Sequence, residues 1–231
     1  MAKIIVIIPA FNEENSIAKV IEEIPKNIGV ETIIVADNNS TDNTKTVAAN
    51  AGATVVFQPK MGYGNACLKA MEHIAKQNLN PDIVVFLDGD YSDYPEEMTK
   101  LIQPILEENK DMVIGSRALG AKQKGSMTPQ QIFGNWLATN LISLFYKINF
   151  TDLGPFRAIK WQKLLQLNME DETYGWTCEM QVKAAKLKFQ ISEIPVNYRR
   201  RIGTSKISGT IKGTILAGYK IITTIFKYIV N

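Results

Sequence analysis

The sequence predicts an α/β fold with a mostly parallel sheet flanked by helices. Two observations carry that prediction. Short β-branched runs alternate with helix-length segments through the first half of the chain, an order that makes parallel pairing and right-handed crossovers the default. Each run is continuously apolar rather than alternating, as strands covered on both faces are.

The runs at residues 4–8, 32–36, 54–58 and 83–87 are the first four expected strands, separated by helical segments at 16–24, 44–51 and 65–77. A helix around 95–108 precedes a fifth strand at 112–116. Residues 118–127 read as a polar loop with the length and glycines of a lid. An apolar helix follows at 131–146, then a further αβ stretch over 160–198 and a last helix at 211–228. The expected division is a domain over residues 1–206 and a C-terminal amphipathic helix over 207–231.

The chain's 231 residues suit one domain with such an extension. Cys67 and Cys178 stand far apart without a CxxC neighbour, so they read as buried thiols in a reducing compartment. The single histidine, His73, excludes a histidine metal cluster and a Ser-His-Asp triad. The opening apolar run ends at Pro9 and meets FNEEN without a cleavage pattern. No stretch approaches a membrane span of roughly 18 apolar residues. A cytoplasmic protein, peripheral on the inner face of a membrane, is expected, with no nucleic-acid partner.

Charge is divided unevenly. Residues 1–115 hold nine Lys/Arg against seventeen Asp/Glu, and residues 116–231 hold seventeen against six. An acidic half can hold a divalent cation, and a basic half can meet phosphates or anionic lipid.

In an open parallel sheet, ligands bind beyond the strands' carboxyl ends. The segments there are Pro9-Ala10-Phe11-Asn12-Glu13-Glu14, Asp37-Asn38-Asn39-Ser40-Thr41-Asp42 and Asp88-Gly89-Asp90. In the last, two carboxylates flank a glycine that lets a diphosphate approach. That donor set suits Mg2+ or Mn2+ held by one or two carboxylates plus substrate phosphates. Gly62-Tyr63-Gly64 lacks the third glycine of a dinucleotide fingerprint and follows the third strand, which points to a tight turn. The absence of GxGxxG after the first strand disfavours a dehydrogenase.

Three segments, IIPAFNEENSI (7–17), VADNNSTDNT (35–44) and FLDGDYSDYPEEM (86–98), resemble the donor-site motifs of family 2 glycosyltransferases. VIGSR (113–117), DLGPFRAI (152–159) and EIPVNYRRRIGTSKISG (193–209) resemble the dolichyl-phosphate mannose/glucose synthase branch. The resemblance implies the GT-A fold, a Rossmann-like sheet, and inverting transfer of a hexose from a UDP- or GDP-sugar. By the same resemblance Pro9, Ala10, Phe11, Asn12, Glu13, Asp37, Asn38 and Asp88 line the nucleotide. Asp88 and Asp90 organise the metal, while Arg117, Arg199, Arg200, Arg201 and Lys206 meet phosphate. The family's usual Glu-Asp base pair is replaced here by Trp176-Thr177. A hydroxyl acceptor needs a base, whereas a phosphate acceptor is already an anion. The replacement therefore favours polyprenyl phosphate as acceptor. Asp152 and Glu179 are the candidate bases for the alternative, a glycan or other hydroxyl acceptor. A non-catalytic nucleotide-sugar-binding protein is a further alternative, opposed by the retention of Asp88 and Asp90.

A lipid-phosphate acceptor requires contact with a bilayer. Ile132, Phe133, Trp136, Leu137, Asn140, Leu141, Leu144 and Phe145 follow a helical stripe. The last helix sets Ile211, Ile215, Ile222, Ile225, Phe226 and Ile229 beside Lys212, Lys220 and Lys227. Both stripes suit a helix lying in the headgroup plane, or packing on the domain or in a homodimer. Tyr174 and Trp176 are open to sugar stacking or to packing.

Overall fold

The structure, a computed structural model, describes residues 1–203 and 211–230. Among these residues seven strands form one sheet in the order β3-β2-β1-β4-β6-β5-β7. They are β1 (Ile4–Ala10), β2 (Val30–Asp37), β3 (Thr54–Phe57), β4 (Ile83–Phe86), β5 (Met112–Ser116), β6 (Arg157–Lys160) and β7 (Ile191–Pro195). All neighbours pair in parallel except β6, which runs antiparallel between β4 and β5.

β1, IIVIIPA, is buried along its whole length. Its alternation divides the core: Ile5 and Ile7 enter one apolar cluster, and Ile4, Val6 and Ile8 enter the other. On the second face lie α1 (Ile17–Glu22), α2 (Thr44–Asn50) and α4 (Met98–Glu107). The first face is covered by α3 (Tyr63–Lys76), α5 (Pro129–Tyr146), α6 (Trp161–Gln166), α7 (Trp176–Lys186) and α8 (Ile211–Val230). This three-layer packing is why the central strands carry no polar face.

Two expectations need correction. β3 is an edge strand in which only Val56 is buried, so it is not covered on both faces. β6 was absent from the expected pattern, because RAIK is too short and too charged to show a strand signature. Pairing on both sides makes it one.

The C-terminal helix packs on α5 and α7 rather than standing away from the domain. Ile225 and Tyr228 join the core, and the Tyr146 hydroxyl donates to the Ile225 carbonyl at 2.6 Å. No helix among the described residues is long and apolar enough to cross a membrane.

Candidate active site

The loops after β1, β2 and β4 converge on one sheet edge because those strands are neighbours in register. Ala10 pairs with Asp37, and the Asn38 amide donates to the Ala10 carbonyl at 2.8 Å. The first two loops are then sewn together by side chains. Asn12 N–H donates to Ser40 Oγ at 3.0 Å, Thr41 N–H to Asn12 Oδ1 at 2.8 Å, and Glu13 N–H to Thr44 Oγ1 at 2.7 Å. Asn12 and Asn39 take left-handed backbone conformations, which asparagine tolerates.

Asn38 is occupied in the scaffold. Its amide donates to the Gln58 and Lys60 carbonyls and its oxygen accepts from Gly62 N–H at 2.8 Å. Asp37 is buried beside it, and its Oδ1 has no hydrogen-bond partner. A buried acceptor without a donor is uncommon in a native core.

Tyr63 and Gly64 do not cradle phosphate. The Gly64 and Asn65 amides, at the start of α3, donate to the Thr173 and Glu172 carbonyls at 3.2 and 2.9 Å. The glycines instead admit the backbone of residues 171–172. Tyr63 serves the site differently: its hydroxyl donates to Asp88 Oδ1 at 3.1 Å. The sequence pattern places it in a tight turn and gives it no role beside the acids.

Asp88 and Asp90 lie just past β4. Burial pushes the Asp88 carboxyl up to about 7, with the neighbouring Asp90 charge adding to it and Arg201 opposing. Asp90 is buried; its Oδ1 accepts from Ser92 N–H at 2.8 Å, and its Oδ2 meets the Arg201 guanidinium. Asp93 is buried too, and neither of its oxygens has a partner. Burial, then Asp88 and Asp90, push its carboxyl well above the usual range. Sequence reasoning assigned Asp93 no role although it lies inside the third motif.

Asp152 and Arg117 close the other side. Arg117 engages Asp152 through its backbone amide, Nε and Nη2, at 2.7, 2.8 and 2.7 Å. Burial pushes the Asp152 carboxyl up, but the charge and hydrogen bonds of Arg117 outweigh it and hold the group below the ordinary range. Glu179 is committed elsewhere. It is fully buried and accepts from the Glu170 and Asp171 amides, the Tyr228 hydroxyl and the Lys183 ammonium. Neither expected base therefore holds a free carboxylate oxygen toward an acceptor. Arg157, also unforeseen, is fully buried and spends its donors on the carbonyls of Leu153, Gly154 and Thr177 and on Gln181 Oε1.

The arginine run does not act as one patch. Arg199 binds Glu23 at 2.7 Å and lies over the Tyr91 and Tyr94 rings. Arg200 donates to the Lys124 carbonyl at 2.7 Å, and Arg201 reaches Asp90. Lys206 lies outside the described residues. The expected lid, 118–127, is tied to this run: Tyr198 N–H donates to the Ala121 carbonyl and Gln123 N–H to the Tyr198 carbonyl, both at 2.9 Å.

No three His, Cys, Asp or Glu side chains among the described residues form a complete metal cage. Two carboxylates suffice for a hard divalent cation that draws its other ligands from phosphate and water, and the guanidinium on Asp90 marks where positive charge is accepted. A cavity of about 400 Å³ lies at the opposite edge, lined by Ile21, Lys26, Val30 and Thr54 among others, and carries none of these acids.

A mostly parallel sheet with acids gathered beyond its carboxyl edge has the fold of the GT-A type, and comparison with known proteins agrees. The family model described as "Glycosyl transferase family 2" matches residues 5–166, and the chain belongs to that family of glycosyltransferases. It is 33% identical over 213 residues to an uncharacterized glycosyltransferase of Mycobacterium tuberculosis, covering 92% of this chain and 93% of that protein. It is 27% identical over 223 residues to an undecaprenyl-phosphate mannosyltransferase of Micrococcus luteus, covering 91% and 90%. Glucosyl-3-phosphoglycerate synthase from M. tuberculosis, solved with Mn2+, UDP and phosphoglyceric acid, superposes with a TM-score of 0.78 at 22% identity. The match covers 99% of this chain and 78% of that one.

Proposed function

We propose that this enzyme transfers a hexose, with inversion, from a UDP- or GDP-sugar to a polyprenyl phosphate at a membrane surface, using Mg2+ or Mn2+. The observation that carries the acceptor is the state of the candidate bases: every carboxylate oxygen of Asp152 and Glu179 already has a partner. An acceptor that arrives as an anion needs neither.

In this reading Asp37 receives the base, and the backbone of Pro9–Glu13 lines the nucleoside. Asp88 and Asp90 hold the cation, whose chemistry is to neutralise the diphosphate as it leaves. Tyr63 orients Asp88 through its hydroxyl. Arg201 and Lys206 meet phosphate oxygens of the donor. Arg117, held by Asp152, presents a fixed positive charge on the acceptor side.

The apolar face of α5 gives the lipid a surface. Ile132, Phe133, Trp136 and Leu144 are each more than half exposed, and α8 adds Phe226 and Ile229. This face starts beside the site, since Asn135 of α5 donates to the Thr151 carbonyl and accepts from Leu153 N–H. The similarity to the M. luteus enzyme supports the same acceptor class.

The test is nucleotide release from a panel of UDP- and GDP-hexoses, with Mn2+ and short polyprenyl phosphates. Release that depends on the lipid phosphate and stops with EDTA is expected. Release with soluble hydroxyl acceptors alone would leave the donor chemistry standing and remove the lipid.

A further inference from the structure

The segment after β7 lies across the acids of the DGD turn. Arg199 N–H donates to the Ser92 carbonyl and Ile202 N–H to the Asp90 carbonyl, both at 2.9 Å. Arg199 anchors it, with Nη2 on Glu23 and Nε on the Tyr91 carbonyl at 2.7 Å each. Arg201 is the working end. Its Nη2 contacts Asp90 Oδ2 and stands 3.9 Å from Glu13 Oε1. Its Nε is buried without a hydrogen-bond partner.

That orphaned N–H is informative. A buried donor left unmade is costly, so the guanidinium is held here by charge and not by a completed set of hydrogen bonds. Its anchor, by contrast, is well satisfied. A guanidinium seated on Asp90 Oδ2 competes with a divalent cation for the same negative charge.

We infer that Arg201 is an internal counter-cation that gates the metal position: metal binds productively only together with the nucleotide diphosphate, whose charge draws Arg201 off Asp90. The inference rests on the proposal that Asp88 and Asp90 are metal ligands. It accounts for a cation kept on an acid that the reaction needs free.

Electron paramagnetic resonance of Mn2+ with the intact chain tests this without turnover. Wild type, Arg201→Gln, Arg201→Lys and Asp90→Asn are titrated with Mn2+ alone, then with UDP or GDP present. Arg201→Gln is expected to bind Mn2+ alone about tenfold more tightly than wild type, the equivalent of 1.4 kcal/mol. Arg201→Lys, which keeps a charge but loses the fork, falls between them and serves if the glutamine variant does not fold. Nucleotide raises the wild-type affinity by more than it raises that of Arg201→Gln. Equal Mn2+ affinity in wild type and both Arg201 variants, with Asp90→Asn impaired, overturns the gate and leaves the metal site intact. Undiminished Mn2+ uptake by Asp90→Asn overturns the metal site and the gate together.

Discussion

Arg117 and Asp152 form a bidentate pair, with Nε and Nη2 at 2.8 and 2.7 Å from the two carboxylate oxygens and the Arg117 amide adding a third bond at 2.7 Å. The pair joins the end of β5 to the loop before β6, and Gln181 of α7 braces it by donating to the Asp152 carbonyl at 3.0 Å. Breaking a buried pair strands the remaining charge, at about 3–5 kcal/mol. Asp152→Ala should therefore lower the unfolding free energy obtained from urea melts by about that amount. Arg117→Gln combined with Asp152→Asn should lose less than the two single changes added together, because the partners are in contact. The depressed Asp152 pKa makes this contribution present above the ordinary carboxylate range. It is lost only as pH falls through the depressed value.

Asp88 titrates the other way. Its carboxyl, raised from an ordinary 3.8 to about 7 by burial and by Asp90, keeps its proton in the folded chain where the unfolded chain has released it. The Asp88 contribution to metal-free stability should then fall as pH rises between these values and level off above about 7, and the raised Asp93 carboxyl acts in the same direction. A cation favours the charged carboxylate, so binding of Mn2+ should release a proton below that pH. Urea melts at pH 5, 6 and 8, with and without Mn2+, check the sign. A metal-free stability that rises over this interval would contradict it.

The strands that position this chemistry were legible because burial on both faces leaves unbroken apolar runs such as IIVII and IVVF. The acids beyond them were legible for the same reason, as polar residues following a buried strand. What escaped depends on contacts distant in sequence. Asp93 differs from a solvated turn residue only in being buried by its surroundings. Glu179 reads as a free acid on an amphipathic helix until the amides of Glu170 and Asp171 and the hydroxyl of Tyr228, 49 residues on, enclose it. Three adjacent arginines look like one basic patch, yet an extended chain sends successive side chains to different neighbours. Arg199, Arg200 and Arg201 accordingly reach Glu23, the 118–127 loop and Asp90.

The glycines give a contrast within one fold. A Cβ on Gly64 would stand 1.8 Å from the Asp171 carbonyl oxygen, whereas one on Gly134, inside α5, would meet nothing within 4 Å. Gly134→Ala removes backbone entropy from the unfolded chain and should stabilise by about 0.5–1 kcal/mol. Gly64→Ala must push the 171–172 backbone away from α3 and should lower the melting temperature or prevent folding. Equal melting temperatures for the two variants would show that α3 and residues 171–172 do not pack this closely.

The exposed face of α5 separates a lipid-facing role from a packing role. Phe133 and Trp136 are 61% and 58% exposed, with their rings 5.8 Å apart, and little of the core rests on either. The buried face of the helix is carried by Ala138, Thr139 and Ile142. Replacing both aromatic residues with glutamate should therefore leave the melting temperature within about 1–2 °C, as surface substitutions usually do. Aromatic side chains favour the headgroup boundary, whereas glutamate loses the apolar contact and is repelled by anionic lipid. Sedimentation with anionic vesicles should fall sharply in the double variant, and transfer to polyprenyl phosphate in vesicles should fall with it. Donor hydrolysis in the absence of lipid should not change. Unaltered vesicle binding together with a lowered melting temperature would assign the face to packing and remove the membrane from the proposal.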